Sequence, residues 1–164
     1  MKIYLIGMPF SGKTTIGKYL AEKMNFTHLD TDEMITIEEK TSISDLFAIK
    51  GENYFRKLEK TTLERIKKHN NIVVSTGGGV VLDRENRFIM EGIIIFLDVS
   101  LDNLEKRSQN DQTRPLLMKK SLEELYLERR KFYYFFNTFI VDGNGEVNEV
   151  VDKIVNLLKK EDLL

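Results

Sequence analysis

Cysteine is absent from the 164-residue chain, and histidine occurs only twice. Disulfide bonds and cysteine-based metal sites are therefore excluded, and histidine can contribute little to any other metal site. A chain without cysteine fits a reducing compartment, and we expect the protein to be cytoplasmic.

An excess of charge of either sign is also lacking. The chain carries 25 basic and 26 acidic side chains, which nearly cancel. No basic field is available to hold a nucleic acid backbone, which argues against a helicase or a DNA-packaging motor. We expect no nucleic-acid partner.

Long apolar runs and linker-like segments rich in Pro, Gly or Ser are missing as well. The N-terminal apolar run, Ile3-Tyr4-Leu5-Ile6, is too short for a signal peptide core or a membrane-spanning helix. We expect one domain covering residues 1–164, with no membrane partner, that acts as a monomer.

The N-terminal apolar run leads directly into a loop bounded by glycines. Residues 7–14 read G-M-P-F-S-G-K-T and fit the P-loop motif G-x-x-x-x-G-K-[ST]. Backbone N–H groups of such a loop surround a phosphate, and the positive end of the following helix strengthens binding. A plain glycine turn is the alternative. The motif predicts ATP or GTP with Mg²⁺, bound by Gly7, Ser11, Gly12, Lys13, Thr14 and Thr15.

Two of these residues have predicted roles of their own. Lys13 is expected to reach the β- and γ-phosphates, and the Thr14 hydroxyl is expected to be a ligand of Mg²⁺.

Strands and helices alternate along the rest of the chain. Apolar segments predict strands after the first one at 25–30, 72–76, 93–97 and 139–141. Helical periodicity is found at 13–24, 43–50, 52–68, 122–136 and 147–158. This order predicts an α/β sandwich around a parallel five-stranded sheet.

Two acidic residues, Asp30 and Asp32, follow the second predicted strand, where ligands of parallel sheets bind. One carboxylate can hold a water on Mg²⁺, and the other can orient or deprotonate an attacking hydroxyl. The alternative is that either residue only caps the next helix.

Three glycines, Gly77 to Gly79, follow the third strand directly. They indicate close approach of the backbone to a ligand, with a flexible turn as the alternative. Ser75 and Thr76 stand where many P-loop proteins carry an aspartate, so we expect Asp30 to support the metal instead. Asp98 is interpreted as part of the turn that starts a helix through Arg107.

Arginines occur at three further places. Arg56 and Glu59 share one helical face, which is also typical of a surface ion pair. Arg114 lies in the polar segment 108–120, which has the form of a phosphate-covering lid or of a solvated loop. Arg129 and Arg130 lie in an aromatic-rich helix.

Together these motifs resemble the shikimate kinase family over nearly the whole chain. Asp30-Thr31-Asp32 is similar to the family's D-[ST]-D, and Gly77-Gly78-Gly79 to its triple glycine. Residues 43–59 match I-x3-F-x3-G-E-x2-F-R-x2-E, and residues 114–117 match the lid motif R-P-L-L. Arg107 stands seven residues before Arg114, at the position of the adenine-stacking arginine.

The resemblance implies a nucleoside monophosphate kinase fold with strand order 2-3-1-4-5. It also implies transfer of the ATP γ-phosphoryl group to the 3-hydroxyl of shikimate. Substrate is expected within about residues 31–60 and a lid at about 108–120.

The resemblance further implies a role for each matching residue. Asp32 would activate the hydroxyl, and Lys13 and Arg114 would stabilise charge on the transferring group. The carboxylate and backbone contacts to shikimate would come from Arg56, Arg129, Gly77, Gly78 and Gly79. Metal-bound waters would be held by Asp30 and Ser75.

The chain departs from the family pattern in its last third. Lys131 replaces the usual proline and Asn137 the usual alanine, so Arg129 is chosen over Arg130 by its register with Tyr133. No adenine ligand is assigned after Asp142. Two alternatives are a kinase for another small hydroxy acid such as gluconate, and a nucleotide-dependent switch without an acceptor substrate.

Overall fold

Five parallel strands form one sheet in the order β2-β3-β1-β4-β5, as expected. The computed structural model describes residues 1–109 and 120–164. The strands are β1 (Lys2–Ile6), β2 (Thr27–Asp30), β3 (Ile72–Ser75), β4 (Ile93–Asp98) and β5 (Phe139–Asp142).

Helices cover both faces of this sheet, as a parallel sheet requires because both of its faces are apolar. They are α1 (Lys13–Met24), α2 (Thr31–Glu39), α3 (Ile43–Lys50), α4 (Glu52–Ile66), α5 (Asn86–Ile89), α6 (Leu101–Ser108), α7 (Leu122–Phe136) and α8 (Val147–Lys160). A short 3₁₀ helix spans Val80–Leu82.

Side chains of β1 alternate between two separate cores. Tyr4 and Ile6 lie in the core that contains Tyr133 and Phe136 of α7. Ile3 and Leu5 lie in the core that α1 and α8 cover from the other face. Successive side chains of a strand point to opposite faces, so one buried strand links both layers.

The register of the strands brings the loops after β1, β2 and β3 to one edge of the sheet. Ser75, the last residue of β3, pairs with Leu5 of β1 and with Asp30 of β2. The loops after β1, β2 and β3 therefore meet at the carboxyl edge of the sheet, where ligands of such sheets bind.

Helix α2 is the main element that the periodicity did not predict. It begins directly after β2, and the Asp30 side chain caps it by accepting hydrogen bonds from the N–H groups of Asp32 and Glu33. Its inner face has few fully buried residues, Thr31 and Ile35, which gives a weak helical signal. Helix α5 and the 3₁₀ turn are too short to show a period at all.

Asp98 differs from its predicted place. It is the last residue of β4, and Ser100 caps α6 by accepting a hydrogen bond from the Asn103 N–H. Ser100 is the better cap because its hydroxyl stands three residues before that N–H.

No helix in residues 1–109 or 120–164 is long and apolar enough to cross a membrane.

Two isoleucines of α2 provide a matched test of this fold. Ile35 is 1% exposed and packs with Leu46 and Phe55, whereas Ile37 is 69% exposed. We expect Ile35→Ala to lower the free energy of unfolding by about 2–4 kcal/mol, because it leaves a cavity. Ile37→Ala should change it by less than about 0.5 kcal/mol. Urea unfolding of both variants measures this, and equal losses would contradict the orientation of α2.

Candidate active site

The P-loop joins β1 to α1 and has the backbone conformation that its glycines permit. Gly7 and Gly12 have φ angles of 154° and 87°, which L side chains rarely adopt. A Cβ atom at Gly7 would also lie 2.9 Å from the Leu97 carbonyl oxygen. The motif glycines are therefore needed for the shape of the loop itself.

Lys13, the first residue of α1, folds back across this loop. Its Nζ atom donates hydrogen bonds to the Gly7 and Met8 carbonyl oxygens at 2.9 and 2.7 Å and to Ser11 Oγ at 3.3 Å. The side chain is buried, yet it lines the cleft above the loop. The loop thus holds a positive charge at the place where the motif predicts phosphate.

The cleft above the P-loop has a volume of about 360 Å³. Its lining contains most of the predicted nucleotide and metal residues: Gly12, Lys13, Thr14, Thr15, Asp30, Asp32 and Arg107, together with Phe10 and Thr76. Gly7 and Ser11 shape the loop beneath it.

Thr14 and Asp30 are brought together at one side of the cleft. The Thr14 hydroxyl donates a 2.7 Å hydrogen bond to Asp30 Oδ2, while Asp30 Oδ1 caps α2. Asp30 therefore is a helix cap, as the alternative proposed, and also places a carboxylate oxygen beside the P-loop threonine.

Ser75 lies behind the P-loop rather than in the lining of the cleft. Its hydroxyl donates a 2.8 Å hydrogen bond to the Lys13 carbonyl oxygen and lies 2.9 Å from His28 Nε2. Burial lowers the pKa of His28, although the charge of Asp30 opposes this effect. Ser75 thus connects β3 to the start of α1.

The triple glycine makes room for charged side chains. A Cβ atom at Gly77 would lie 2.6 Å from Glu59 Oε1 and 2.7 Å from Asp32 Oδ1, and one at Gly79 would overlap both terminal nitrogens of Arg56. Because Gly79 has a φ of −98°, close approach rather than backbone conformation requires glycine there. The two carboxylates meet over Gly77.

Arg56 and Glu59 form an ion pair, but it is not the surface pair that the alternative supposed. Glu59 is 1% exposed, and Arg56 also pairs with Glu52 at 3.1 Å. Burial raises the pKa of Glu59 to about 7, with the charge of Arg56 opposing and that of Asp32 adding to the increase. Arg56 and Glu59 therefore lie on the face of α4 that points toward Gly77 and Gly79.

The two adjacent arginines of α7 have different surroundings. Arg129 is 2% exposed and lies close enough to Glu59 to influence its ionisation. Arg130 lies on another side of the helix, between the rings of Tyr126 and Tyr134, and pairs with Asp98 at 3.2 Å. The structure thus brings Arg129, and not Arg130, to Arg56, Glu59 and the glycines.

Arg107 joins the phosphate cleft to a neighbouring cleft of about 300 Å³. Its guanidinium donates to the Gly143 carbonyl oxygen at 3.0 Å, and residues 143–147 line the second cleft. The segment after Asp142, in which no adenine ligand could be assigned from the sequence, therefore borders the nucleotide side. Arg114 and most of the predicted lid, residues 110–119, lie outside the described residues.

Sequence reasoning missed two residues of this site. Glu59 was considered only as the partner of Arg56, although its place in the quoted motif was a signal. Tyr133 served only to set the register, yet its buried hydroxyl donates a 2.5 Å hydrogen bond to the Gly78 carbonyl oxygen.

Glu59 should make stability depend on pH. Because its pKa is raised from 4.5 to about 7, the folded protein keeps a proton that the unfolded chain loses between these values. The stabilisation from this proton is complete below pH 4.5 and is lost as the pH rises through 7. Relative to Glu59→Gln, wild type should thus lose on the order of 1–3 kcal/mol of unfolding free energy across this window. Urea unfolding of both proteins at pH 5 and pH 8 measures this loss. If the difference in unfolding free energy between wild type and Glu59→Gln is the same at both pH values, Glu59 is ionised at both.

Comparison with known proteins places the chain in a family. A family model described as shikimate kinase matches residues 9–159. A shikimate kinase of Sulfurihydrogenibium sp. (strain YO3AOP1) is 40% identical over 162 residues, which cover 96% of this chain and 98% of the relative. The structure of shikimate kinase from Acinetobacter baumannii in complex with shikimate is 29% identical, with a TM-score of 0.94 over 99% of this chain and 95% of that one.

A gluconokinase from Sinorhizobium meliloti 1021 is more distant. It is 18% identical with a TM-score of 0.60, covering 97% of this chain and 91% of that one, and so shares the fold alone. The family model spans residues 9–159, which include the triple glycine and all but the first two residues of the P-loop. The chain belongs to the shikimate kinase family.

Proposed function

We propose that this protein transfers the γ-phosphoryl group of ATP to the 3-hydroxyl of shikimate, giving shikimate 3-phosphate and ADP. Membership of the shikimate kinase family supports the activity. The proposal extends to the residues that carry it, which lie in two adjoining parts of the site.

The position of Asp32 is the observation that carries the proposal. It lines the phosphate cleft with Lys13 and Thr14, and it also lies over Gly77 beside Glu59. A hydroxyl bound at Asp32 would stand between the phosphate loop and the arginines. Phosphoryl transfer needs this juxtaposition, because catalysis is mainly positioning and charge stabilisation.

On the nucleotide side, the P-loop amides and Lys13 would hold the β- and γ-phosphates of ATP. Gly7, Ser11, Gly12 and Thr15 shape this cradle, and Arg107 with residues 143–147 borders the place proposed for adenine. Arg114 keeps its proposed role on the transferring group.

Thr14 and Asp30 fit a magnesium site. Their oxygens are 2.7 Å apart at the edge of the phosphate cleft, and Mg²⁺ prefers oxygen ligands while retaining several waters. In residues 1–109 and 120–164 no cluster of three or more acidic or histidine side chains forms a complete cage. A kinase ion does not need one, because substrate phosphates supply ligands.

Mg²⁺ would neutralise charge on the phosphates when bound. Thr14 would ligate it directly and Asp30 through water, while Ser75, instead of holding waters itself, would support the site from behind the loop through its hydrogen bond to the Lys13 carbonyl oxygen.

On the acceptor side, Arg56 and Arg129 would bind the carboxylate of shikimate. Within the described chain the Nε atoms of both arginines are buried without a hydrogen-bond partner. Guanidinium groups suit carboxylates, since two parallel charge-assisted hydrogen bonds match their geometry. Gly77, Gly78 and Gly79 form the backbone edge beside them.

Asp32 would accept the proton of the 3-hydroxyl, or orient that hydroxyl, as the oxygen attacks the γ-phosphorus. The bond from this phosphorus to the β–γ bridging oxygen breaks, and ADP leaves. Lys13 would stabilise the charge on the transferred group and the leaving oxygen.

We further propose that the protein acts as a monomer in the cytoplasm, where ATP is available. The proposed unit is one kinase domain over residues 1–164, with acceptor residues within about 31–60 and a lid at about 108–120.

A coupled ADP-release assay tests the function. Wild type should release ADP with ATP, Mg²⁺ and shikimate, and release far less with gluconate or without an acceptor. Equal release with gluconate would favour the other hydroxy-acid kinase. ADP release at the same rate with shikimate, with gluconate and without an acceptor would indicate a nucleotide-dependent switch.

Asp32→Asn should lower kcat with shikimate by about 10²- to 10⁴-fold, the usual contribution of general-base assistance. The KM for ATP should stay close to that of wild type, because the P-loop is intact. Steady-state kinetics measures both constants. A near-normal kcat would remove Asp32 from the reaction.

The adjacent arginines of α7 allow a matched comparison. Arg129→Ala should lower kcat/KM for shikimate about ten- to a hundredfold, since a charge-assisted hydrogen bond contributes roughly 1.5–3 kcal/mol. Arg130→Ala should leave it nearly unchanged, because Arg130 pairs with Asp98 instead. Kinetics of both variants with shikimate decides this. Equal losses would mean that α7 contributes through its packing alone.

A further inference from the structure

The backbone of the triple glycine has an uneven set of hydrogen bonds. All three carbonyl oxygens accept one: Gly77 from the Val80 N–H, Gly79 from the Leu82 N–H, and Gly78 from the Tyr133 hydroxyl. The Gly77 N–H donates to Thr31 Oγ1 at 3.1 Å. Among described residues, the N–H groups of Gly78 and Gly79 donate to no acceptor.

The partner of the Gly78 carbonyl differs from the other two. Gly77 and Gly79 are held by the 3₁₀ turn that follows them, so their bonds are local. Gly78 is held from 55 residues away, by a side chain of α7, at 2.5 Å. This hydroxyl is the only side-chain group among the described residues that restrains that carbonyl.

A restraint is needed because a Gly–Gly peptide can rotate with little steric resistance. The peptide bond is planar and trans, so the Gly78 C=O and the Gly79 N–H point in opposite directions. Fixing the carbonyl therefore fixes the direction of the Gly79 N–H. Gly79 lies against the guanidinium of Arg56, so the Gly79 N–H and this guanidinium are close together.

Tyr133 itself is held rigidly. It is fully buried, and its ring stacks on Phe96 of β4 with centroids 5.1 Å apart and planes at 18°. Arg129 lies one helical turn earlier on the same face of α7, and its charge reaches the hydroxyl. One helix face thus supports the Arg129 guanidinium and the glycine backbone together.

From this geometry we infer that Tyr133 is a positioning residue for the acceptor substrate. Its hydroxyl locks the Gly78–Gly79 peptide so that the backbone N–H edge and the two arginines present donors to one carboxylate. The inference rests on the proposed function, because the carboxylate is that of the acceptor. Tyr133 itself contacts Gly78 and not the substrate.

Kinetics of Tyr133→Phe tests the inference, with Tyr4→Phe as the matched control. Tyr4 is also fully buried, and its hydroxyl has no hydrogen-bond partner in the described structure. Tyr133→Phe should raise the KM for shikimate about 5- to 20-fold, the usual effect of losing one buried hydrogen bond. The KM for ATP should change less than about twofold, and Tyr4→Phe should leave both constants near wild type.

Each kinetic outcome has a distinct meaning. If wild type does not release ADP in response to shikimate, the proposed function fails. If wild type responds and Tyr133→Phe has the same KM for shikimate, only the role of Tyr133 fails. Parallel increases in both KM values would show a general packing role and also overturn it.

A second measurement follows the glycine amides directly, and its first part uses wild type alone. In protein labelled with ¹⁵N-glycine, saturating shikimate should shift the amide signals of Gly78 and Gly79, while Gly77 should move little because Thr31 already binds its N–H. In Tyr133→Phe the Gly79 shift should be smaller. Equal shifts of all three glycines in wild type, or none, would overturn the inference.

Discussion

Burying charge at the carboxyl end of β3 is the constraint on which the acceptor site depends. Arg56 and Glu59 of α4, Asp32 of α2 and Arg129 of α7 meet there, and Glu59 and Arg129 are almost fully buried. An uncompensated buried charge costs several kcal/mol, so these helices must bring both signs together. The glycines after β3 leave the space in which these side chains of α2, α4 and α7 meet.

The two adjoining parts of the site bind charge by different means. The P-loop uses the backbone, the start of α1 and Lys13, all supplied within one short segment. The acceptor side uses side chains from distant segments, which the sheet and Tyr133 align. Asp32 belongs to both, because it lines the phosphate cleft and lies over Gly77. Such preorganised charges stabilise a transition state without having to reorganise.

Much of this arrangement could be predicted from the sequence, because its signals are local. The P-loop, the strand order implied by the family resemblance and the α7 bounds were confirmed. What could not be predicted depends on contacts between distant segments. Burial of the Arg56–Glu59 pair requires α4 to face the glycines, and the Tyr133 bond to Gly78 spans 55 residues. Helix α2 was not predicted because only Thr31 and Ile35 are buried on it, which is too few to give a clear helical periodicity of apolar residues.

The most direct measurement of the central claim is the position of phosphate in the product. We would incubate the protein with ATP, Mg²⁺ and shikimate, and follow the reaction by correlated ³¹P and ¹H NMR. The account predicts one new phosphate ester whose phosphorus couples to the proton on carbon 3 of shikimate, with ADP formed in equal amount. Inorganic phosphate as the only phosphorus product besides ADP, or an ester on another hydroxyl, would contradict it.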